Sequence, residues 1–506
     1  MTTRVSPPVL AWLLLAALTT LPYARAALRA PDGRSFLGVL FQVEDIYNYL
    51  GYVQQAEDGA FLFHNKLVTE PHPAALVNVE WWLAGTLSRA LGRRPTLAFR
   101  ILGLAAALAL VIGVDRLLTF AGLPATHRLA ALLWVFLAGG LGGLRYLLLD
   151  LPPWRSLDLI AGLYPFIEVL INPHFVCGSA LLVWTLLAFE RVPACGGPVA
   201  AAAIGSILAL SRPYDAALVL AIAGLAVAFT RPPRQWLAEM APLLPMLAPI
   251  AYTAWVLYRL PAFVAFSSMA DYAFPPAGDM VIALGPAAAA GITGALSLPR
   301  IALTRARVLV AWAVIALALA VFHPLSITLQ FLVGVGIPLV GLGALGAARW
   351  RPAATMATAA LFATTAAVAM RIVVTDNGRW LVPAERVQAA RALRGTCRDG
   401  DVALTPPDIG LYALAYAACH PFLAHVAAHD FETRDALARR FYADGPPDWR
   451  AAFLDAHCIT HVVLAGDPGD VPAAWLGAGT AFRRTARIPG ASAISVYARS
   501  RPPGCP

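Results

Sequence analysis

The stretch FQVEDIYNYLGYVQQAEDG, Phe41 to Gly59, places two adjacent carboxylates, Glu44 and Asp45, shortly after a strongly apolar N-terminal segment. If residues 44–57 are helical, Asp45, Asn48, Tyr49 and Tyr52 share one face by i, i+3, i+4, i+7 spacing, and Ile46, Leu50 and Val53 form another. An amphipathic helix lying along a membrane surface has this pattern. On such a helix Glu44 and Asp45 stand about 100° apart. One of them faces a given substrate, and the other caps or braces the positive helix N-terminus. A solvated linker would explain the acids but not the aromatic faces.

The surroundings explain why a pair of acids is conspicuous here. Of 506 residues, 59% are hydrophobic and 13% are charged, about half the charge of an average soluble domain. That shortage points to an integral membrane protein. The formal charge is +9 and almost all of it is arginine, Lys66 being the only lysine. No basic run is interleaved with aromatics, so nucleic acid is not an expected partner; arginine at helix ends accounts for the excess. The arginine bias and the high Ala, Gly and Pro content suggest a GC-rich bacterial genome.

A spanning helix needs about 20 mostly apolar residues. Such spans are predicted near 9–27, 98–119, 127–148, 174–190, 198–211, 214–230, 241–259, 280–297, 306–322, 325–347 and 352–373, about eleven in all. The first is read as a retained helix, although Ala24-Arg25-Ala26 resembles a signal-peptidase site. Arginines gather at alternate turns: Arg128, Arg191, Arg231, Arg234, Arg300, Arg305, Arg307, Arg349 and Arg351. By the positive-inside rule these turns are cytoplasmic. The 28–97, 149–173 and 260–279 loops and everything after Asp376 then lie outside.

From Asp376 the character changes, and the chain divides into residues 1–375 and 376–506. DVALTPP and THVVLAG read as strands, ETRDALARRFYAD and DWRAAFLDA as helices, and TARIPGASAISVYAR as a strand pair around a turn. These make a small extracytoplasmic α/β domain. Cys397, Cys419, Cys458 and Cys505 fall in it and would suit one or two disulfides in an oxidising compartment, or remain buried thiols. No CxxC is present, so a zinc site is not the expected use of the six cysteines. In the first loop a second helix is expected from Pro73 in TEPHPAALVNVEWWLAG, with Trp81 and Trp82 at the lipid–water boundary.

Several motifs are set aside. Gly341-Leu-Gly343-Ala-Leu-Gly346 matches GxGxxG but lies in an apolar helix after no strand, so close helix packing is the expected use. Asp399-Gly-Asp401 matches DxD, and reads as a turn before a strand. There is no Walker A, GxSxG or HExxH motif.

The acidic pair, the following YLGYVQQAEDGAFLFHNKLVTEPHPAALVNVEWWLAGTLSRALG, about ten further spans and the polar C-terminal region together resemble the GT-C superfamily. These are polytopic glycosyltransferases that include protein mannosyltransferases and lipid A aminoarabinose transferases. The resemblance implies a polyprenyl-phosphate sugar donor, a lipid, glycan or protein acceptor, and an extracytoplasmic reaction at the plasma (inner) membrane. It also implies a first-loop general base, which falls on Asp45, with Glu44 second. A second acid on the second outer loop falls on Glu168, with Asp158 weaker. Phosphate binding is expected at three basic residues beside prolines, His174, Arg212 and His323, read as helix starts, and at Lys66. Glu70 and His72 are further candidates, and Asp215 is an ion-pair partner for Arg212. No cofactor is expected; metal independence is the expectation, and a divalent ion held by Glu44 and Asp45 would overturn it. A transporter or flippase of lipid-linked saccharides is the rival reading and predicts paired repeats and broken mid-span helices. A polysaccharide polymerase or ligase is a second rival.

Overall fold

Long runs of Leu, Ala and Val with almost no charge must satisfy their backbone polar groups internally, and a helix is the way a single segment does so in lipid. The computed structural model of the chain describes residues 6–149, 156–160, 162–268, 274–349, 351–375, 380–426, 428, 430–466, 475–476, 481–490, 493–502 and 505. Asp376, the expected boundary, and residues 491–492, at the expected turn of the last strand pair, lie outside this set. Six described helices are long and apolar enough to cross a membrane: Pro7–Leu28, Pro95–Phe120, Pro213–Thr230, Pro233–Arg259, Ala277–Ser297 and Thr328–Ala347. Two bent pairs raise the number to eight, Ala125–Leu137 with Gly142–Leu149 and Pro352–Ala360 with Thr364–Thr375. Three of the eleven expected spans fall short, because Pro173–Phe189, Pro198–Ser211 and Arg307–Phe322 have 17, 14 and 16 residues.

The chain divides into two compact units. The first holds residues 1–24, 100–255 and 270–376. Its helices meet through small residues where lipid offers no hydrophobic incentive for association. A Cβ on Gly294 would lie 2.2 Å from the Leu342 carbonyl oxygen, and one on Gly346 would lie 2.6 Å from Gly294 Cα. The GxGxxG run is thus a helix-packing face. The N-terminal helix is tied in by Trp12, whose indole donates to the Leu104 carbonyl (3.0 Å), and by Tyr23, whose hydroxyl donates to that of Leu170 (2.8 Å).

The second unit holds residues 25–99, 256–269 and 377–506. The division differs from the one expected at 375/376: the first loop belongs with the C-terminal segment. Strand β1 (Arg34–Phe36) pairs antiparallel with β2 (Leu381–Pro383), in the register Arg34 to Pro383. The remaining strands are β3 (Val402–Leu404), β4 (His420–Pro421), β5 (Ile459–Leu464), β6 (Arg483–Ile488) and β7 (Ile494–Ala498). They form one sheet in the order β4-β3-β5-β7-β6, parallel on the β3 side and antiparallel on the β7 side. Helices Phe431–Tyr442 and Pro447–Ala456 cover it through Phe441, Phe453 and Leu454, against Val402, Leu404, Ile459 and Val462. Disulfides join Cys397 to Cys419 and Cys458 to Cys505. Gly400, at φ +78°, makes the turn before β3, and Asp401 accepts the Arg398 N–H (2.8 Å), so the DxD run is a turn.

Two expectations for the first loop change. The helix Val43–Glu57 does not carry one buried face and one wet one: Ile46, Leu50 and Val53 are buried, and so are Asn48 and Tyr52. It is an internal element of its unit, flanked by the Val79 and Pro407 helices. The second helix starts at Val79, not Pro73, because Asn78 caps it, its side-chain oxygen accepting the Trp81 N–H (3.1 Å). The residues before it are held extended by the Phe63–Leu76 bridge. Trp81 is consequently buried, stacked 4.5 Å from Tyr52 and 5.4 Å from Tyr49, and Trp82 alone of the pair is half-exposed.

Candidate functional site

Asp45 sits in the first turn of Val43–Glu57, where a carboxylate is favoured by the helix dipole. Gln42 precedes the helix in the left-handed region, φ 50° and ψ 43°. That conformation costs a non-glycine residue about 1–3 kcal/mol and is held only where the surroundings fix it. Within the helix, Asp45 and Glu44 stand about 100° apart. Glu44 is exposed; the Asp45 side chain is 31% exposed and its Oδ1 lies 3.6 Å from His425 Nε2. His425 is buried and comes from the loop after β4. Nothing in the run FLAHVAAHD marks one histidine as facing a residue far earlier in the chain.

Lys66 is committed elsewhere. Its ammonium donates to Gln54 Oε1 (2.8 Å), to the Leu414 carbonyl (3.1 Å) and to that of Ala417. Those two carbonyls close the helix Pro407–Tyr416, where a cation offsets the negative end of the dipole. Burial pushes the amine down to about 7, against the pull of Asp58 and Asp399. Three donors meeting three protein oxygens make Lys66 a pin between the first loop and the C-terminal segment.

Glu70 and His72 belong to the same seam. Both Glu70 oxygens accept from Arg434 Nη2 (2.9 and 3.0 Å). The Asn65 N–H donates to His72 Nε2 (3.0 Å), leaving Nδ1–H to donate to the Glu70 carbonyl (2.8 Å). Burial lowers the basicity of this neutral ring, and the His420 and His64 rings, 6.0 and 5.3 Å away, add to the effect. Among the described residues no group of three or more His, Cys, Asp or Glu side chains is arranged to hold a metal ion.

The other candidates lie in the first unit. A single residue, Asn172, joins helices Pro165–Ile171 and Pro173–Phe189; its side chain accepts the His174 N–H (3.1 Å), and His174 is buried in the first turn. Arg212 likewise joins Pro198–Ser211 to Pro213–Thr230 and donates to both oxygens of Asp215, from Nε (2.7 Å) and Nη2 (3.3 Å). The pair is 3% exposed on each side, and its guanidinium lies 4.9 Å from the Phe175 ring centre. It fits because residue 178 is glycine: a Cβ there would stand 2.3 Å from Arg212 Cδ. Glu168 is close by, fully buried, accepting from Ser179 (2.9 Å) and pushed up by burial to about 8, with Arg212 pulling the other way. The structure therefore brings Glu168, Arg212 and Asp215 together.

Two candidates stand apart. Asp158 accepts from Ser156 (2.8 Å), Thr365 (2.9 Å) and the Gly142 N–H (3.1 Å), the bonding of a buried structural brace. His323 is not at a helix start. It closes Arg307–Phe322 in the left-handed region, φ 30°, exposed and stacked 4.4 Å from Phe274; the next helical turn begins only at Thr328.

No known protein-family profile matches the chain, and no curated protein matches it in sequence. Solved structures do match in shape. The mycobacterial arabinofuranosyltransferase AftD superposes over 100% of this chain and 41% of its own, with a TM-score of 0.55 at 15% identity. The chain thus spans about two fifths of AftD. ArnT from Cupriavidus metallidurans superposes over 96% of this chain and 97% of its own. Its TM-score is 0.53 in the apo state, at 14% identity, and 0.51 bound to undecaprenyl phosphate, at 13%. The oligosaccharyltransferase of Archaeoglobus fulgidus covers 90% of this chain and 67% of its own, with a TM-score of 0.50 at 12% identity. The chain is a multi-pass helical membrane protein with the GT-C-like fold that its sequence resemblance implied.

Proposed function

We propose that the chain is a membrane glycosyltransferase that moves a sugar from a polyprenyl-phosphate donor to an acceptor hydroxyl on the extracytoplasmic face of the plasma membrane. The observation that carries this reading is Asp45, a partly exposed carboxylate fixed at the start of a buried helix. The whole-length likeness to ArnT, a protein solved with undecaprenyl phosphate, supports the donor class.

In the reaction Asp45 takes the acceptor hydroxyl proton as its oxygen attacks the anomeric carbon. The bond from that carbon to the phosphate oxygen breaks, and the electron pair leaves with polyprenyl phosphate. Attack opposite the leaving group inverts the anomeric centre. Growing charge on the leaving phosphate calls for donors fixed in advance. We further propose that no metal is required, so EDTA leaves turnover unchanged.

The test uses the purified full chain and radiolabelled undecaprenyl-phosphate-linked pentoses and hexoses. Asp45→Asn is expected to lose on the order of 100-fold or more in turnover, with donor binding kept. Glu44→Gln is expected to stay near wild type. Full turnover in Asp45→Asn would remove Asp45 as the base, and no turnover of any donor by folded wild type would remove the donor class.

A further inference from the structure

The residue facing the proposed base comes from the far end of the sequence, and the fold goes to some length to put it there. Helix Pro407–Tyr416 is the shared support. On one side it carries the first-loop helix: the Tyr47 and Tyr412 rings meet edge to face at 5.5 Å, and a Cβ on Gly51 would stand 3.5 Å from Leu414 Cβ. On the other it carries the loop after β4. A Cβ on Gly410 would lie 2.2 Å from the Leu423 carbonyl oxygen, so glycine lets that loop close onto the helix. Phe422 and Leu423 are buried beneath it, and the turn is closed by the Ala428 N–H donating to the His425 carbonyl (2.9 Å). With both neighbours seated on one helix, His425 Nε2 comes to 3.6 Å from Asp45 Oδ1. The imidazole side chain is 2% exposed and the carboxylate 31%. Asp45 thus faces a buried ring on one side and keeps about a third of its side chain exposed (31%).

We propose that His425 is a positioning residue for Asp45. Its Nε2–H holds Oδ1, which fixes the carboxylate rotamer and turns the remaining oxygen toward the acceptor hydroxyl. A separation of 3.6 Å is long for a hydrogen bond, and catalytic hydrogen bonds are commonly long until substrate is bound. The proposal rests on the reading of Asp45 as general base. It adds a specific requirement: the C-terminal segment supplies part of the catalytic geometry, beyond any role as a lid.

The experiment compares His425→Phe, which fills the ring's volume without a donor, with His425→Gln, whose amide nitrogen can reach the position of Nε2. Both are assayed in the full chain with whichever labelled undecaprenyl-phosphate sugar the wild type turns over, beside Asp45→Asn. Misaligning a reacting group by about 1 Å costs on the order of 100-fold. His425→Phe is therefore expected to lower kcat by about 10- to 100-fold, with the donor KM and the melting temperature unchanged. His425→Gln is expected to recover most of the loss. A kcat near wild type in His425→Phe, equal losses in Phe and Gln, or a change confined to KM would each overturn the proposal. If His425→Phe fails to fold, His425→Gln decides alone: a folded Gln variant as inactive as Asp45→Asn overturns it, and near wild-type turnover upholds the donor. Full activity in Asp45→Asn would instead sink the general-base reading.

Discussion

Lys66, as the only lysine, can be watched by itself. Its amine is 3% exposed and pushed down to about 7 from an ordinary 10.5, burial outweighing the carboxylates nearby. A base whose proton affinity is lower in the folded than in the unfolded chain leaves the unfolded state holding more protons between those two values. Stability must then rise with pH across that window, by about 1.4 kcal/mol per unit where the two states differ by a full proton. Between pH 7.5 and 9 the unfolded chain keeps Lys66 charged while the folded chain sheds the last of its proton. Integration over that range gives a gain of about 2 kcal/mol. Below pH 6 both states hold the proton and the slope vanishes. In protein labelled with ¹⁵N-lysine, a single Nζ resonance should titrate with a midpoint near neutrality. Denaturant unfolding at pH 7.5 and 9 should give a stability increment that Lys66→Met lacks. A midpoint near 10.5, or an equal increment in Lys66→Met, would refute the argument that burial dominates at this pin.

Removing the Cys397–Cys419 disulfide by a double Cys→Ser change should cost about 3 kcal/mol, from a sequence separation of 22. The loss should appear as a lower unfolding midpoint in non-reducing conditions and disappear when the wild type is reduced. Gly294→Val should sharply reduce the folded yield, because the new side chain would enter the Leu342 backbone; size-exclusion chromatography of the detergent extract would show a monodisperse peak if that contact were unimportant.

Apolar runs could be read directly, since their length and composition are local properties. The helix starts at Pro173 and Pro213 are equally legible, whereas the short helix Pro165–Ile171 before Asn172 lies where a loop is expected. Strands β5 and β7 were legible too, as runs of β-branched and aromatic residues. Partners were harder. Periodicity tells which residues share a face of Val43–Glu57 but not that both faces are covered, so a surface helix was expected where a buried one lies. Lys66 looked like a free cation because its acceptors at Leu414 and Ala417 are 348 and 351 residues away. The start of the second first-loop helix was misplaced because Pro73 competes with Asn78 as a start signal, and a side-chain cap outweighs a proline preference. His323 reads as a helix start for a similar reason, since a proline follows it, but a left-handed residue there ends a helix.

The pairing of β1 with β2 has a consequence for biogenesis. Residues 34–36 leave the ribosome more than 340 residues before their partners at 381–383, and Lys66 waits as long for its carbonyls. Contacts of such large sequence separation form late and slowly. The helix bearing Asp45 is therefore synthesised with its faces uncovered, and it acquires its final environment only when residues 377–506 are made. Earlier intermediates would carry the Asp45 carboxylate without its support, so under the proposed function competence for chemistry would be conferred in one late step.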